Sequence, residues 1–197
     1  VAIQRVIYRH KIHEAVPLGN EGITYAALTT KTGLSQRRLK SIIRQSALNR
    51  VFEETSGQGV RHTASSAVLL RSQAMLDWYG HSLEEMCPSA VALATALEQE
   101  SGTDQKQEQQ NSAFQLAFNT TDPLFRFYER HKDRQARFFG AMAGVGRDQG
   151  HSLDYIVRGY DWAKLGKAIV VDVCKSFPSI LLLLQMNSPC KIYNIPN

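Results

Sequence analysis

The sequence predicts a mostly α chain in two parts. A winged-helix-like domain covers residues 1–97, and after a polar stretch at 98–112, helices lead into the incomplete start of a Rossmann-like α/β domain over 113–197. Three observations predict it. Apolar residues recur at helical spacing through most of the chain. A short glycine turn joins two helices ahead of a hairpin-like pair of segments. Late in the chain, Ala168-Ile169-Val170-Val171-Asp172-Val173 reads as a buried strand ending in an acid, the usual opening of a doubly wound sheet.

Ile3, Val6, Ile7, His10 and Glu14, with Ile12 and Val16 beside them, predict one amphipathic helix over 1–16, stopped by Pro17 and Gly19. Its apolar face needs a partner. Thr24 is placed to cap a second helix through Tyr25 and Leu28, and Gly33 to close it. Ser35 caps a third, with Leu39, Ile42, Ile43 and Leu48 as its buried stripe and Arg37, Arg38, Lys40 and Arg44 on the wet side. Residues 51–55 and 60–63 flank Ser56-Gly57-Gln58-Gly59 as a hairpin and complete the winged helix. A helical pattern from Ser66 to about Leu97 breaks at Pro88. Residues 99–111 hold no aromatic or aliphatic side chain and cannot bury surface, which predicts a linker or mobile loop. Pro123 then precedes one long helix, in which Leu124, Phe125, Phe127, Tyr128, Phe138, Phe139 and Met142 alternate with charged residues.

An apolar share of 43% with 21% charged residues is a globular balance and excludes a disordered or fibrous chain. The longest apolar run, Ile180 to Leu184, is far too short to span a membrane. The chain opens on an amphipathic pattern rather than a basic-then-apolar leader, and its three cysteines, Cys87, Cys174 and Cys190, lack metal spacing. A cytoplasmic protein with reduced thiols is expected. The net charge of +5 is uneven, with +7 in residues 1–72 and −2 in residues 73–197. Arg37, Arg38, Lys40 and Arg44 on one helix therefore read either as a DNA-reading face or as the solvated side of a dimerisation domain. His10 and His13 have a spacing that suits a metal but no third ligand, so no metal site is assigned. Cys174 directly follows the predicted strand, with no histidine or acid placed to activate it.

Five segments carry a family resemblance. Phe114-Gln115-Leu116-Ala117-Phe118-Asn119-Thr120, Pro123-Leu124-Phe125, Arg137-Phe138-Phe139-Gly140-Ala141-Met142, Tyr160-Asp161-Trp162 and Ile169-Val170-Val171-Asp172-Val173 match the plant and fungal small-molecule O-methyltransferases in order and spacing. The chain resembles that S-adenosylmethionine-dependent family as far as Val173. The resemblance implies an N-terminal winged-helix-like domain for dimerisation, as a homodimer or with a complete paralogue. It implies methyl transfer from S-adenosylmethionine to a hydroxyl of a small secondary-metabolite acceptor. It also places Phe139 and Met142 where the family lines its acceptor pocket, while their helical spacing reads equally as core, and it puts Asp172 at the cofactor strand.

In the family that strand is followed by a Gly-Gly-x-x-Gly loop and a helix, whose backbone donors meet the methionine carboxylate. Here Val173 is followed by Cys174-Lys175-Ser176-Phe177-Pro178-Ser179 and the apolar run. The loop and helix read as cut out, and the family's catalytic histidine and its acidic partner have no counterpart, so no catalytic residue is assigned. The chain is expected neither to bind S-adenosylmethionine nor to turn over. Residues 174–179 are too few to cross between parallel strands at 168–173 and 180–185, since a crossover takes a dozen or more. The tail is expected to form a hairpin, pack irregularly or stay exposed. Two other readings accompany this one: a non-catalytic partner of a complete paralogue, and a winged-helix DNA binder, although specific DNA binding is not expected.

Overall fold

The first sixteen residues form two helices rather than one. In the computed structural model, α1 (Ala2–Arg9) ends at His10, Lys11 takes left-handed backbone at φ +52°, and a single turn, α2 (Ile12–Ala15), follows. Burial is the reason. Ile7 and Ile12 would stand about 140° apart around a continuous helix, and the break turns Ile12, His13 and Val16 into the same core as Ile7. The structure describes residues 1–56, 59–99, 112–145, 154–166, 169–172 and 191–194, in two compact units, Val1–Gly144 and Val145–Asn197.

β1 (Ile23–Thr24) leads into α3 (Tyr25–Thr32), where Thr24 accepts from the Ala27 amide and Gly33 closes the helix at φ +71°. Both caps stand where the sequence predicts them. α4 (Gln36–Ala47) starts on Ser35 and buries Leu39, Ile42 and Ile43. Leu48, predicted to extend that stripe, lies past the last turn and is 78% exposed. β2 (Phe52–Glu54) and β3 (Gly59–His62) pair antiparallel, Phe52 opposite His62 and Glu54 opposite Val60. β1, too short to show a period, adds to the other edge of β3 and makes the order β1-β3-β2. Ile7, Ile12, Leu28, Leu39, Ile43, Phe52 and Val60 meet in one core between this sheet and the helices.

Thr63 and Ser66 form a capping box for α5 (Ala64–Arg71), and Ser72 caps α6 (Gln73–His81). The helix does not break at Pro88. A wider π turn, Ser82–Met86, hands over directly to α7 (Cys87–Gln99), so the widened turn lies immediately ahead of Pro88, the residue that brings no N–H to the helix. Residues 100–111 lie outside the described residues, yet α8 (Ala113–Phe118), capped by the reciprocal Ser112–Gln115 box, packs directly on α7. The long helix predicted after Pro123 is two, α9 (Leu124–Arg130) and α10 (Lys132–Val145). They separate at His131, whose ring stacks on Phe127 while Nδ1 lies 2.8 Å from the Phe127 carbonyl oxygen.

The second unit contains α11 (Asp154–Gly159), a 3-10 turn at Trp162–Leu165, β4 (Ile169–Asp172) and β5 (Lys191–Asn194). β4 and β5 run parallel, Ile169 opposite Lys191 and Asp172 opposite Asn194. A hairpin or irregular tail is thus not the whole outcome. The described partner of β4 is 191–194, and the 18 residues between the two strands are enough for a crossover. Residues 180–185, Cys174 and Cys190 lie outside the described residues. Among those described, the chain is mostly helical, and no helix is long and apolar enough to cross a membrane.

Candidate functional site

Phe139 and Met142 lie one turn apart on the same face of α10. The opposite side of the helix explains how that face is presented. A Cβ on Gly144 would sit 2.5 Å from that of Ala74, and one on Gly140 would strike Asp77, so α10 lies this close to α6 only because both positions lack a side chain. Phe138 packs on Tyr128 with ring centroids at 5.1 Å and on His81 at 5.3 Å. Phe139 is left 57% exposed and Met142 half-buried. Phe125 of α9 is also exposed, and its ring and that of Phe139 both meet Phe138 edge-on. Phe125 lies inside a matching segment, but helical spacing alone does not separate it from core.

Hydrophobic periodicity gives no sign of the charged network in the same unit. Glu84 and Glu85, neighbours in the π turn, are 6% and 2% exposed, and each holds arginines from a different helix. Glu84 accepts from Arg5 Nε at 3.0 Å and from Arg9 Nη2 at 2.6 Å, both on α1. Glu85 accepts from Arg134 Nη1 at 2.5 Å and Arg137 Nη2 at 2.5 Å, both on α10, with His81 Nδ1 at 3.2 Å. Burial pushes both carboxyls up, but the hydrogen bonds outweigh it: Arg9 and Arg5 hold Glu84 down at about 2, and His81 with Arg137 holds Glu85 below the usual carboxylate range. Both are anions at neutral pH. Gly80 makes the room, since a Cβ there would meet Tyr8 Cζ at 2.6 Å and Arg137 Cδ at 2.8 Å. Nearby, the buried Tyr128 hydroxyl has no hydrogen-bond partner among the described residues, and burial with Glu85 pushes it up to about 12. The one sequence signal was spacing: Arg5 with Arg9 and Arg134 with Arg137 are helix-face pairs, and an adjacent acid pair is their complement.

The basic face of α4 is less available than its composition suggests. Lys40 lies 5.6 Å over the Tyr25 ring, Arg44 pairs with Glu54 at 3.1 Å, and Arg61 on the hairpin pairs with Glu53 at 2.7 Å. Arg37 and Arg38 stay exposed beside a groove between α1 and α4 that His10 also lines. A larger groove of about 840 Å³ runs between α1 and α7, with Val6, Pro88 and Val91 in its walls and Arg5 and Arg9 beside them. His10 is exposed and His13 only 1% exposed in the core, so the two do not converge. Among the described residues no three metal-ligating side chains gather, and Cys87 is a half-buried free thiol. Asp172 ends β4 in the second unit, while Phe139 and Met142 belong to the first. No glycine follows Gly166 in the sequence, so the chain after β4 offers no side-chain-free backbone to a carboxylate.

No protein-family model matches the chain. Among curated proteins it is similar to O-methyltransferase VdtC of Byssochlamys spectabilis, 30% identical over 94% of this chain and 44% of that protein. It is also similar to O-methyltransferase aurJ of Gibberella zeae, 29% identical over 85% of this chain and 37% of that one. Among solved structures it matches OxaC, in complex with SAH and oxaline, with a TM-score of 0.70 at 18% identity, over 98% of this chain and 50% of OxaC. The pyocyanin biosynthetic protein PhzM matches with a TM-score of 0.60 at 15% identity, over 99% of this chain and 62% of PhzM. The curated relatives bear out the resemblance to O-methyltransferases, and the solved structures share the fold. The chain spans less than half the length of the two curated relatives.

Proposed function

We propose that this chain is the N-terminal part of an O-methyltransferase whose parent reaction places the methyl of S-adenosylmethionine on a hydroxyl of a small secondary-metabolite acceptor, and that the chain by itself does not complete that reaction. The observation that carries this is the run of five matching segments in order, with 30% identity to a fungal O-methyltransferase over 94% of the chain. In this reading residues 1–97 are a winged-helix-like dimerisation domain, supported by the α3–α4 pair and the β1-β3-β2 sheet. The polar stretch at 98–112 then divides roles rather than packing, since α7 and α8 touch across it. Phe139, Met142 and Phe125 form an acceptor wall, and flat apolar rings suit an aromatic acceptor. β4 is the opening strand of a Rossmann-like cofactor domain, with Asp172 at its end.

The cofactor, where bound, supplies an electrophilic methyl group. The part of this chain is to orient the acceptor and keep water from it. Transfer in line also requires a group to take the hydroxyl proton, and none is assigned here. The exposed α1–α7 groove favours a second role for the same chain, as a non-catalytic dimerisation partner of a complete paralogue.

A chimera tests the proposal. Residues 1–172 joined to the remainder of VdtC should bind S-adenosylmethionine with a dissociation constant on the order of micromolar by calorimetry, whereas the chain as it stands should show no binding. A folded chimera without binding, or binding by the unaltered chain, overturns it.

A further inference from the structure

We propose that the Glu84–Glu85 pair links the order of α1 to that of the middle of α10, so that losing the α1 arginines loosens the stretch that presents Phe139 and Met142. The two carboxylates are consecutive in a π turn and nearly fully buried, yet they serve different helices: Glu84 holds Arg5 and Arg9, and Glu85 holds Arg134 and Arg137. A buried carboxylate stripped of its arginines must regain water. Glu84 can do so only by leaving its place, and Glu85 shares its peptide bond.

Once Glu85 shifts, α10 loses the anchor of its first two turns. His81 moves with the same turn, and its ring packs against Phe138, beside Phe139. Gly80, wedged between Tyr8 of α1 and Arg137 of α10, couples the same two helices from the adjacent residue. Glu84 and Glu85 are thus positioning residues. Their functional meaning rests on the acceptor-wall reading, but the coupling itself does not.

Hydrogen exchange on the full chain tests it. Arg5 and Arg9 are partly exposed, so Arg5→Gln with Arg9→Gln leaves the core packing intact. The amides of residues 82–87 and 134–142 should exchange about tenfold faster in that variant, with α3 and α4 unchanged. Glu84→Gln, which leaves no buried charge in need of water, should restore most of the protection in the Arg5→Gln, Arg9→Gln background, as should Arg5→Lys with Arg9→Lys in place of the glutamines. Faster exchange confined to α1, or an equal rise in α3 and α4, overturns the coupling. The acceptor reading fails separately, if Phe139→Ala in the VdtC chimera leaves acceptor affinity unchanged.

Discussion

His13 and His62 make the first unit sensitive to mild acid. His62 Nε2 lies 2.9 Å from the Val16 carbonyl oxygen, which can only accept, so the other nitrogen accepts from the Ser66 hydroxyl at 2.8 Å. His13 is buried with its Nε2 lacking a hydrogen-bond partner. Burial pushes both imidazoles below their ordinary value. The folded chain therefore binds these protons less readily than the unfolded one. Their contribution to stability is whole above the ordinary imidazole value of about 6.5 and is lost as pH falls through the depressed values. The urea midpoint should drop from pH 7.5 to pH 5.5, and His13→Leu should flatten the drop while changing stability at pH 7.5 by only about 1 kcal/mol. Glu84 adds a second, lower window: its stabilisation is present above the ordinary 4.5 and lost as pH falls toward about 2. Caps such as Thr24 and Ser35 were legible because capping is settled within four residues. Glu84 and Glu85 were not, because their partners stand some fifty to eighty residues away in sequence.

Elements pack here through absent side chains. Gly80→Ala gains about 1 kcal/mol of helix propensity, but the new methyl group meets a rigid tyrosine ring and an anchored arginine stem. The net result should be a loss of about 1–3 kcal/mol, measured by chemical denaturation. Helix existence was readable from apolar spacing, and the α3 and α4 boundaries from their caps. The breaks at Lys11 and His131 were not: burial of Ile12 and His13 imposes the first from outside the local pattern, and neither a glycine nor a proline marks the second. Phe139 and Met142 were legible as candidates through the matching segment, whereas their exposure depends on how closely Gly140 and Gly144 let α10 approach α6.

At the scale of the whole chain, the α1–α7 groove and exposed Val91, Leu93 and Leu97 of α7 leave apolar surface uncovered. Sedimentation of the full chain should show self-association at tens of micromolar, roughly the strength of ordinary interfaces, and a monomer at that concentration would refute it. Duplex DNA should bind weakly, with strong salt dependence and no sequence preference, since Lys40, Arg44 and Arg61 are engaged within the fold. A preference of roughly a thousandfold for one sequence in a titration would replace the dimerisation reading of residues 1–72. The β4–β5 pair carries a different consequence. Among the described residues no third strand joins it, and any edge of the pair that stays unpaired offers backbone donors and acceptors that another molecule's strand can satisfy. Each copy can then template the next: turbidity on warming should rise after a lag that shortens with protein concentration, and a short peptide copying Ile169–Asp172 should seed it.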